Sequence, residues 1–480
     1  MQVMKTLIFR SCLQSALFGL AMTVAAVELC ARGVSPYLPL QVSPEIEREV
    51  ERLFTIAGMP LLRKPYFAGD VEAALQRGCQ VPSSVCTKVK FYLDRYKSSL
   101  GVTDASALLR SSDEARKFVP NQRGMQLSSN YNVSAQAYWQ PTDHFLITAA
   151  ASAFEDELVP TSYVSFGSDA AQVDIGWRER WWSPFHDGAT IVSTNALPSP
   201  SITVSNYRPM TFLNFRYEVF YADLEKTDGI LFQGERFPGR PGLFGAHLSF
   251  EPLPGLGIAV NRVLQFGGDG RKKSLSTLLR AFFDPTGADN RDEDLSADDE
   301  AGNQLGSITS RFDFAGKVPF SVYMEYAGED TSSSENFRLG NVALSVGLFL
   351  PQVTPTIDLT YEFSEFQNAW YVSGIYANGY TNDGSVIGHW AGNERVFGDA
   401  VGTQVHTLML NWEFAPGNLI HGTYRTINNA NTSPVDYVRG HEILLRYSRG
   451  ISHFIGGVEV YVGSTTLDDN FATFGGFLRW

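Results

Sequence analysis

The sequence predicts a mainly β fold: a transmembrane antiparallel β-barrel preceded by a small N-terminal α-helical domain. Three features carry that expectation. Apolar residues recur with a period of two over most of the chain, aromatic residues and glycine are abundant, and the connections between expected strands alternate short and long. The 480 residues include 33 Phe, 20 Tyr, 8 Trp and 43 Gly, while only 19% are charged. Mean hydropathy is -0.11, and no apolar run of about 18 residues follows the N-terminus, which argues against a helical membrane protein. A barrel hides its hydrophobicity by alternation. The net charge of -13 argues against a nucleic-acid partner, because phosphate backbones are bound by clustered cations.

Three segments are expected: residues 1–26 as a signal peptide, 27–125 as a periplasmic helical domain and 126–480 as the barrel. Lys5 and Arg10 precede the apolar stretch from Leu13 to Val27, and Val24, Ala25 and Ala26 offer small residues for cleavage. Lipidation at Cys30 is opposed by Glu28. Export places Cys79 and Cys86, which bracket a short segment, in an oxidising compartment where they are expected to form a disulfide. Zinc is the competing reading, but no His lies nearby.

Ser43 is suited to cap a helix that has Pro44 at its first position, with Ile46, Val50, Leu53 and Phe54 at helical spacing until Gly58 and Pro60. A second helix is expected from Asp70 to Gly78, a third from Lys88 to Leu100 and a weak fourth from Asp104 to Phe118. Near Gln126 the period changes to two. Tyr131, Val133, Ala135, Ala137 and Trp139 then oppose Asn132, Ser134 and Gln136, and Ile357, Leu359, Tyr361 and Phe363 oppose Asp358, Thr360 and Glu362. These strands run about ten residues, enough to cross a bilayer at a tilt.

Short connections fall at Gly450 to Ile451, Ala415 to Gly417, Pro351 to Thr354, Ala315 to Lys317 and Pro252 to Pro254. Long ones fall between them, at Asn428 to Arg439, Gln367 to Gly402, Thr331 to Asn336, Gly267 to Asn303 and Asp223 to Pro241. Bacterial barrels keep short turns in the periplasm and long loops outside, and the tally is 16 to 18 strands, with those near Ala189 and Ser201 the least defined. The ending Thr473, Gly475, Leu478, Trp480 resembles the C-terminal signal read by the barrel-assembly machinery, a partner expected during biogenesis.

Catalytic motifs are missing. His441 and Glu442 begin like a zinc-protease site, but Leu445 stands where the second His belongs. His186 and Asp187 are adjacent without a nucleophile to activate. No catalytic residue, metal or cofactor is assigned. Asp174, Arg178, Arg216, Glu218, Arg311, Asp313 and Glu325 fall on the polar sides of expected strands and are read as a lumenal charge network that fills the barrel; a charged solute channel is the alternative. The loop from Gln367 to Gly402 sets Trp370, Tyr376, Tyr380, His389 and Trp390 among glycines and asparagines, a mixture suited to stacking on sugars. Packing of the loop on itself is the equal alternative for those rings. Arg271 and Lys272 open a loop that then turns acidic from Asp289 to Glu300, and offer cations to anionic polysaccharide or lipopolysaccharide.

Several segments, in order, resemble the Wzi-type capsule-assembly proteins of the bacterial outer membrane. They are Gly176-Trp177-Arg178 leading to Trp181-Trp182-Ser183-Pro184, then Ser193 to Pro198, and Gln265 to Gly270. Asn303-Gln304-Leu305 leads to Phe312-Asp313, followed by Tyr326 to Asp330 and by Gly379-Tyr380 leading to Gly388-His389. The resemblance implies about 18 strands, a barrel occluded by its periplasmic helices, and a non-catalytic surface lectin that retains capsular or extracellular polysaccharide. Outer-membrane lipid and lipopolysaccharide are the implied surroundings, a monomer the expected state. Ser183 departs from the family's usual Gly after Trp182, which bears on the ligand more than on the architecture. A sugar channel is the runner-up function.

Overall fold

The computed structural model describes residues 33–40, 43–81, 83–112, 119–120, 126–127, 129–154, 157–268, 270–271, 276, 278, 302–331 and 339–480. The expected signal peptide, Cys30, Lys272 and the acidic run from Asp289 to Glu300 lie outside them. Three helices come first: α1 (Pro44–Ala57), α2 (Ala68–Gly78) and α3 (Ser84–Leu93). Ser43 caps α1, its hydroxyl accepting from Ile46 N, and Gly58 ends it in the left-handed region at φ 58°. Cys79 and Cys86 form a disulfide that ties α2 to α3.

The wall follows as β1 (Leu100–Ser112), β2 (Tyr131–Thr142), β3 (Phe145–Phe154), β4 (Glu157–Pro160 continued by Tyr163–Gly167), β5 (Gln172–Gly176), β6 (Ser201–Ser205), β7 (Arg216–Asp223), β8 (Gly242–Leu253) and β9 (Leu256–Phe266). It continues as β10 (Gly302–Phe314), β11 (Phe320–Thr331), β12 (Leu339–Thr354), β13 (Ile357–Phe366), β14 (Thr403–Ala415), β15 (Asn418–Asn429), β16 (Gly440–Ile451), β17 (Phe454–Ser464) and β18 (Asn470–Arg479). Both parts of β4 pair with β3, so they make one interrupted strand. Neighbours pair antiparallel, and β1 closes the sheet by pairing with both β2 and β18. A closed 18-stranded sheet has no edge, which lipid requires because it offers backbone groups no partner.

Three expectations are corrected by these elements. The stretch from Asp104 read as a weak helix is strand β1, and the third helix ends at Leu93 instead of Leu100, so the wall begins before the period change near Gln126. A bulge between Val102 and Asp104 explains the misreading: it buries Thr103 and Asp104 in succession and breaks the two-residue alternation that marks a strand. The Ala- and Leu-rich remainder then favours helix by local propensity alone. No strand forms near Ala189; residues 177–200 leave the wall above the short β5 and fold into the lumen.

Alternation elsewhere follows the expected faces. On β14 the side chains of Leu408, Leu410, Trp412 and Phe414 are exposed to the lipid side, while Thr403, Val405 and Thr407 are buried toward the axis. The five short turns expected from Pro252 to Gly450 lie at the end where the helices sit, and the strands flanking the expected long connections end at the other.

The N-terminal region does not hang beneath the barrel but enters it. Glu51 of α1 receives Arg311 of β10 at 3.1 Å and Lys64 at 2.9 Å, with Tyr66 donating to the same carboxylate. Arg48 pairs with Asp358 of β13, Lys88 of α3 with Glu413 of β14 at 2.7 Å, and Glu45 with Arg479 of β18 at 3.2 Å. Burial pushes the Glu51 carboxyl up, but Lys64, Arg311 and His186 more than reverse this and hold it well below 4.5.

Two outcomes are expected. Leu410→Arg, near the middle of β14, costs about 2–4 kcal/mol in denaturant unfolding from lipid vesicles, against about 0–1 kcal/mol for Val353→Arg near the periplasmic rim; equal costs would take lipid off that face. Glu51 is depressed, so its contribution to docking is fully present above the ordinary carboxylate range and is lost as pH falls below about 4 toward the lowered value. Glu51→Gln leaves Lys64 and Arg311 facing a neutral group, weakening docking at pH 7 by about 3–5 kcal/mol and flattening that acid dependence, as read by protease accessibility of residues 44–96.

Candidate functional site

Inside the barrel the seven lumenal candidates are all buried. Glu218 of β7 collects Arg178 at 2.7 Å, Arg63 at 3.0 Å and the Trp182 indole N–H at 3.0 Å. Asp174 of β5 accepts from the Tyr37 hydroxyl at 2.9 Å, Arg216 reaches Asp70 of α2 at 2.8 Å, and Arg311 spans Asp313 at 2.9 Å and Glu51. Glu325 of β11 accepts from Ser183 and from the Thr190 backbone. Most of these wall groups are thus met by the N-terminal region and by residues 177–200, while Arg311 and Asp313 also pair within β10.

Two further clusters were not foreseen as such. Asp187 sits between Arg425 of β15 at 2.6 Å and the Thr407 hydroxyl at 2.6 Å, and Arg425 continues to Glu442 at 3.4 Å. His186 turns the other way, to Glu362 at 3.2 Å, which also accepts from the Tyr323 hydroxyl at 2.7 Å and from Asp187 N at 2.9 Å. Adjacent in sequence, the two side chains serve different ion-pair networks, which meet where Asp187 N donates to Glu362.

The outer mouth is corked. Residues 367–402 fold inward and meet 181–196 in one apolar core containing Trp182, Ile191, Val192, Trp370, Tyr371, Tyr380, Val386 and Ile387, packed against Val263, Leu305, Ala327 and Ala343 of the wall. Small wall residues make room for large loop residues. Tyr380 donates to Ile191 O at 3.1 Å and Tyr371 to Thr190 O at 2.7 Å, while Ser193 N donates to Ile387 O at 2.9 Å.

The aromatic loop residues accordingly do not form an open platform. Trp370 and Tyr380 are 0% exposed, Tyr376 1%, His389 3% and Trp390 7%, so a sugar arriving from solvent meets none of their faces in this arrangement. Tyr376 donates to Gly267 O and Trp390 lies under Arg425. Burial drives His389 down to about 4, outweighing the nearby Asp187 and Glu362 carboxylates, which leaves the ring neutral, with Nδ1 accepting from Ala391 N. Arg271 is buried too, its Nε donating to Leu231 O at 2.7 Å. Aromatic composition alone could not distinguish a stacking surface from a loop core, because both call for the same residues.

Exposed apolar side chains such as Phe397 remain at the outer end, and beside them there is a polar groove. Between the tops of β12, β13, β14 and β15 lies a groove of about 520 Å³ lined by Asn341, Glu365, Gln367, Asn368, Thr403, Gln404 and Asn428. It sits directly above a band of outward Tyr–His pairs, Tyr361 with His406 at 2.9 Å and Tyr424 with His441 at 3.0 Å, where the lipid face gives way to polar residues. Sequence reasoning passed over these residues because single amides at strand ends carry no motif.

Comparison with known proteins agrees with this architecture. A protein of the Klebsiella pneumoniae cps region, the "Uncharacterized 55.8 kDa protein in cps region", is 25% identical over 183 residues, 35% of this chain and 33% of that protein, so the match spans about a third of that relative's length. The fold is also similar to that of Escherichia coli Wzi, an outer-membrane, carbohydrate-binding β-barrel involved in group 1 capsule assembly: TM-score 0.66 at 14% identity, covering 93% of this chain and 99% of that one. The family model for capsule assembly protein Wzi matches residues 105–460, most of the barrel from β1 to β17, and the chain belongs to that family.

Proposed function

We propose that this chain is a non-catalytic outer-membrane barrel that binds capsular or extracellular polysaccharide and helps retain or organise it at the cell surface. The observation that carries the reading is a wide barrel filled along its lumen and corked at its outer mouth, in a chain of the capsule-assembly family. With the interior occupied by ion pairs and packed rings, the surface left for a ligand is the outer rim and its loops. The carbohydrate-binding character of the similar Escherichia coli barrel supports the same assignment. We take the protein to act as a monomer, surrounded by lipopolysaccharide and inserted by the barrel-assembly machinery through its C-terminal strand.

The channel alternative needs a passage that the outer cork opposes. In planar bilayers the full-length chain is expected to show no steady large current, whereas Trp370→Ala with Tyr380→Ala, which removes two rings from the core of the cork, should produce intermittent openings; steady large currents from the unaltered chain would favour the channel. In cells that make a surface polysaccharide, removing this chain is expected to shift most cell-bound polymer into the medium, and restoring it to reverse the shift. An unaltered partition between cells and medium would sink the retention role.

A further inference from the structure

The outer groove between β12 and β15 has the chemistry of a saccharide site of one class. Five of its ten lining residues are amides, with one carboxylate, Glu365, and no cation among the described residues. Three of the amides are fixed by the protein itself. Gln367 Oε1 accepts from Val342 N at 2.8 Å while Gln367 N donates to Val342 O at 3.1 Å, continuing the ladder one step past the last β12–β13 pair, Ala343 with Phe366. Asn368 Oδ1 accepts from Gly402 N at 2.7 Å, and Gln404 Nε2 donates to Glu365 Oε1 at 2.9 Å.

These bonds use one end of each amide and leave the other. Gln367 Nε2 and Asn368 Nδ2 remain as donors, and Gln404 Oε1 and Glu365 Oε2 as acceptors. Both ends of the Asn428 side chain also remain, since it makes no hydrogen bond among the described residues. Donors and acceptors alternating at fixed positions match the vicinal hydroxyls of a sugar, each of which both gives and takes a hydrogen bond. Because the amides are held before any ligand arrives, little side-chain freedom is lost on binding. Backbone strain marks the same rim: Ala369 sits at φ 72°, in the left-handed region, directly after Asn368.

We infer that this groove is the saccharide-binding site, and that it takes a neutral, hydroxyl-rich segment of a glycan in preference to an acidic one. The inference rests on the surface-binding reading proposed above and adds the place and the ligand class. A carboxylated or phosphorylated sugar would meet Glu365 with no cation to offset it among the described lining residues. Placed just above the Tyr–His band, the groove is at the level of the first sugars beyond the lipid, so the neutral segment has two possible sources: the core of lipopolysaccharide or the exported polymer.

The test uses the full chain in detergent micelles and three probes: a neutral glucan heptasaccharide, a dephosphorylated lipopolysaccharide core oligosaccharide and an oligoglucuronate. A neutral probe is expected to bind about tenfold or more tighter than the oligoglucuronate, and Gln404→Ala with Asn428→Ala to weaken that binding by about tenfold. Glu365→Gln should narrow the discrimination against the acidic probe. Heat-modifiable gel mobility checks that each variant keeps its barrel, and Asp383→Asn, on an exposed hairpin of the outer loop, should leave binding as it was. Whichever neutral probe loses affinity in the double variant identifies the source. Neutral binding that survives the double variant would move the site elsewhere while leaving the surface role intact; oligoglucuronate bound as tightly as the neutral probes would overturn the ligand class; and an unaltered chain that binds no saccharide would overturn the surface role together with the site.

Discussion

Buried charge on the inner wall of the barrel is the constraint from which the rest of this structure follows. Eighteen strands enclose more space than their inward side chains can fill, and here many of those side chains are ionised. A charge left unpaired away from bulk water costs several kcal/mol, so wall charges that are not fully paired within the wall, as Arg446 is with Glu459, draw partners from elsewhere in the chain. The helices and the segment around Arg63 and Lys64 supply them on one side, meeting Glu218, Arg311 and Asp358. Residues 177–200 supply them from the other, through Arg178 and Asp187.

The same segment explains how a single chain closes both ends. β5 and β6 are only five residues each, about half of what a bilayer crossing requires, and the 24 residues between them run inside the barrel instead of extending the wall. Their backbone is held at the periplasmic end by Lys64, which exchanges hydrogen bonds with Trp181, and at the outer end by Ile387. Plug and cork are therefore joined by one covalent strap. A disturbance of the outer loop core can reach the helices through packed and hydrogen-bonded contacts, without an open lumen.

Filling the mouth also decides what the outer surface can offer. The large rings are consumed in the cork, where Phe366, Trp370 and Tyr371 pack edge to face and tilted. Amides, one hydroxyl and a carboxylate line the groove at the rim. A polar groove at the rim and apolar packing below it are two parts of one loop arrangement, and the residues most visible in the sequence belong to the second.

The strand faces, the turn parity and the inward position of the charges were legible from the chain itself, because a two-residue period and a tilted bilayer crossing are local requirements that each strand satisfies alone. The capped helix α1 and the pairing of Cys79 with Cys86 were legible for the same reason. Only the tertiary structure decided that residues from Leu100 complete the wall, since a bulge at Val102–Asp104 erases the local period and the strand exists by virtue of β2 and β18 on either side. It also decided that Trp370, Tyr380 and Trp390 face inward and that the amides of Gln367, Gln404 and Asn428 gather at one groove. Burial and convergence are properties of distant segments brought together, and no window of sequence contains them.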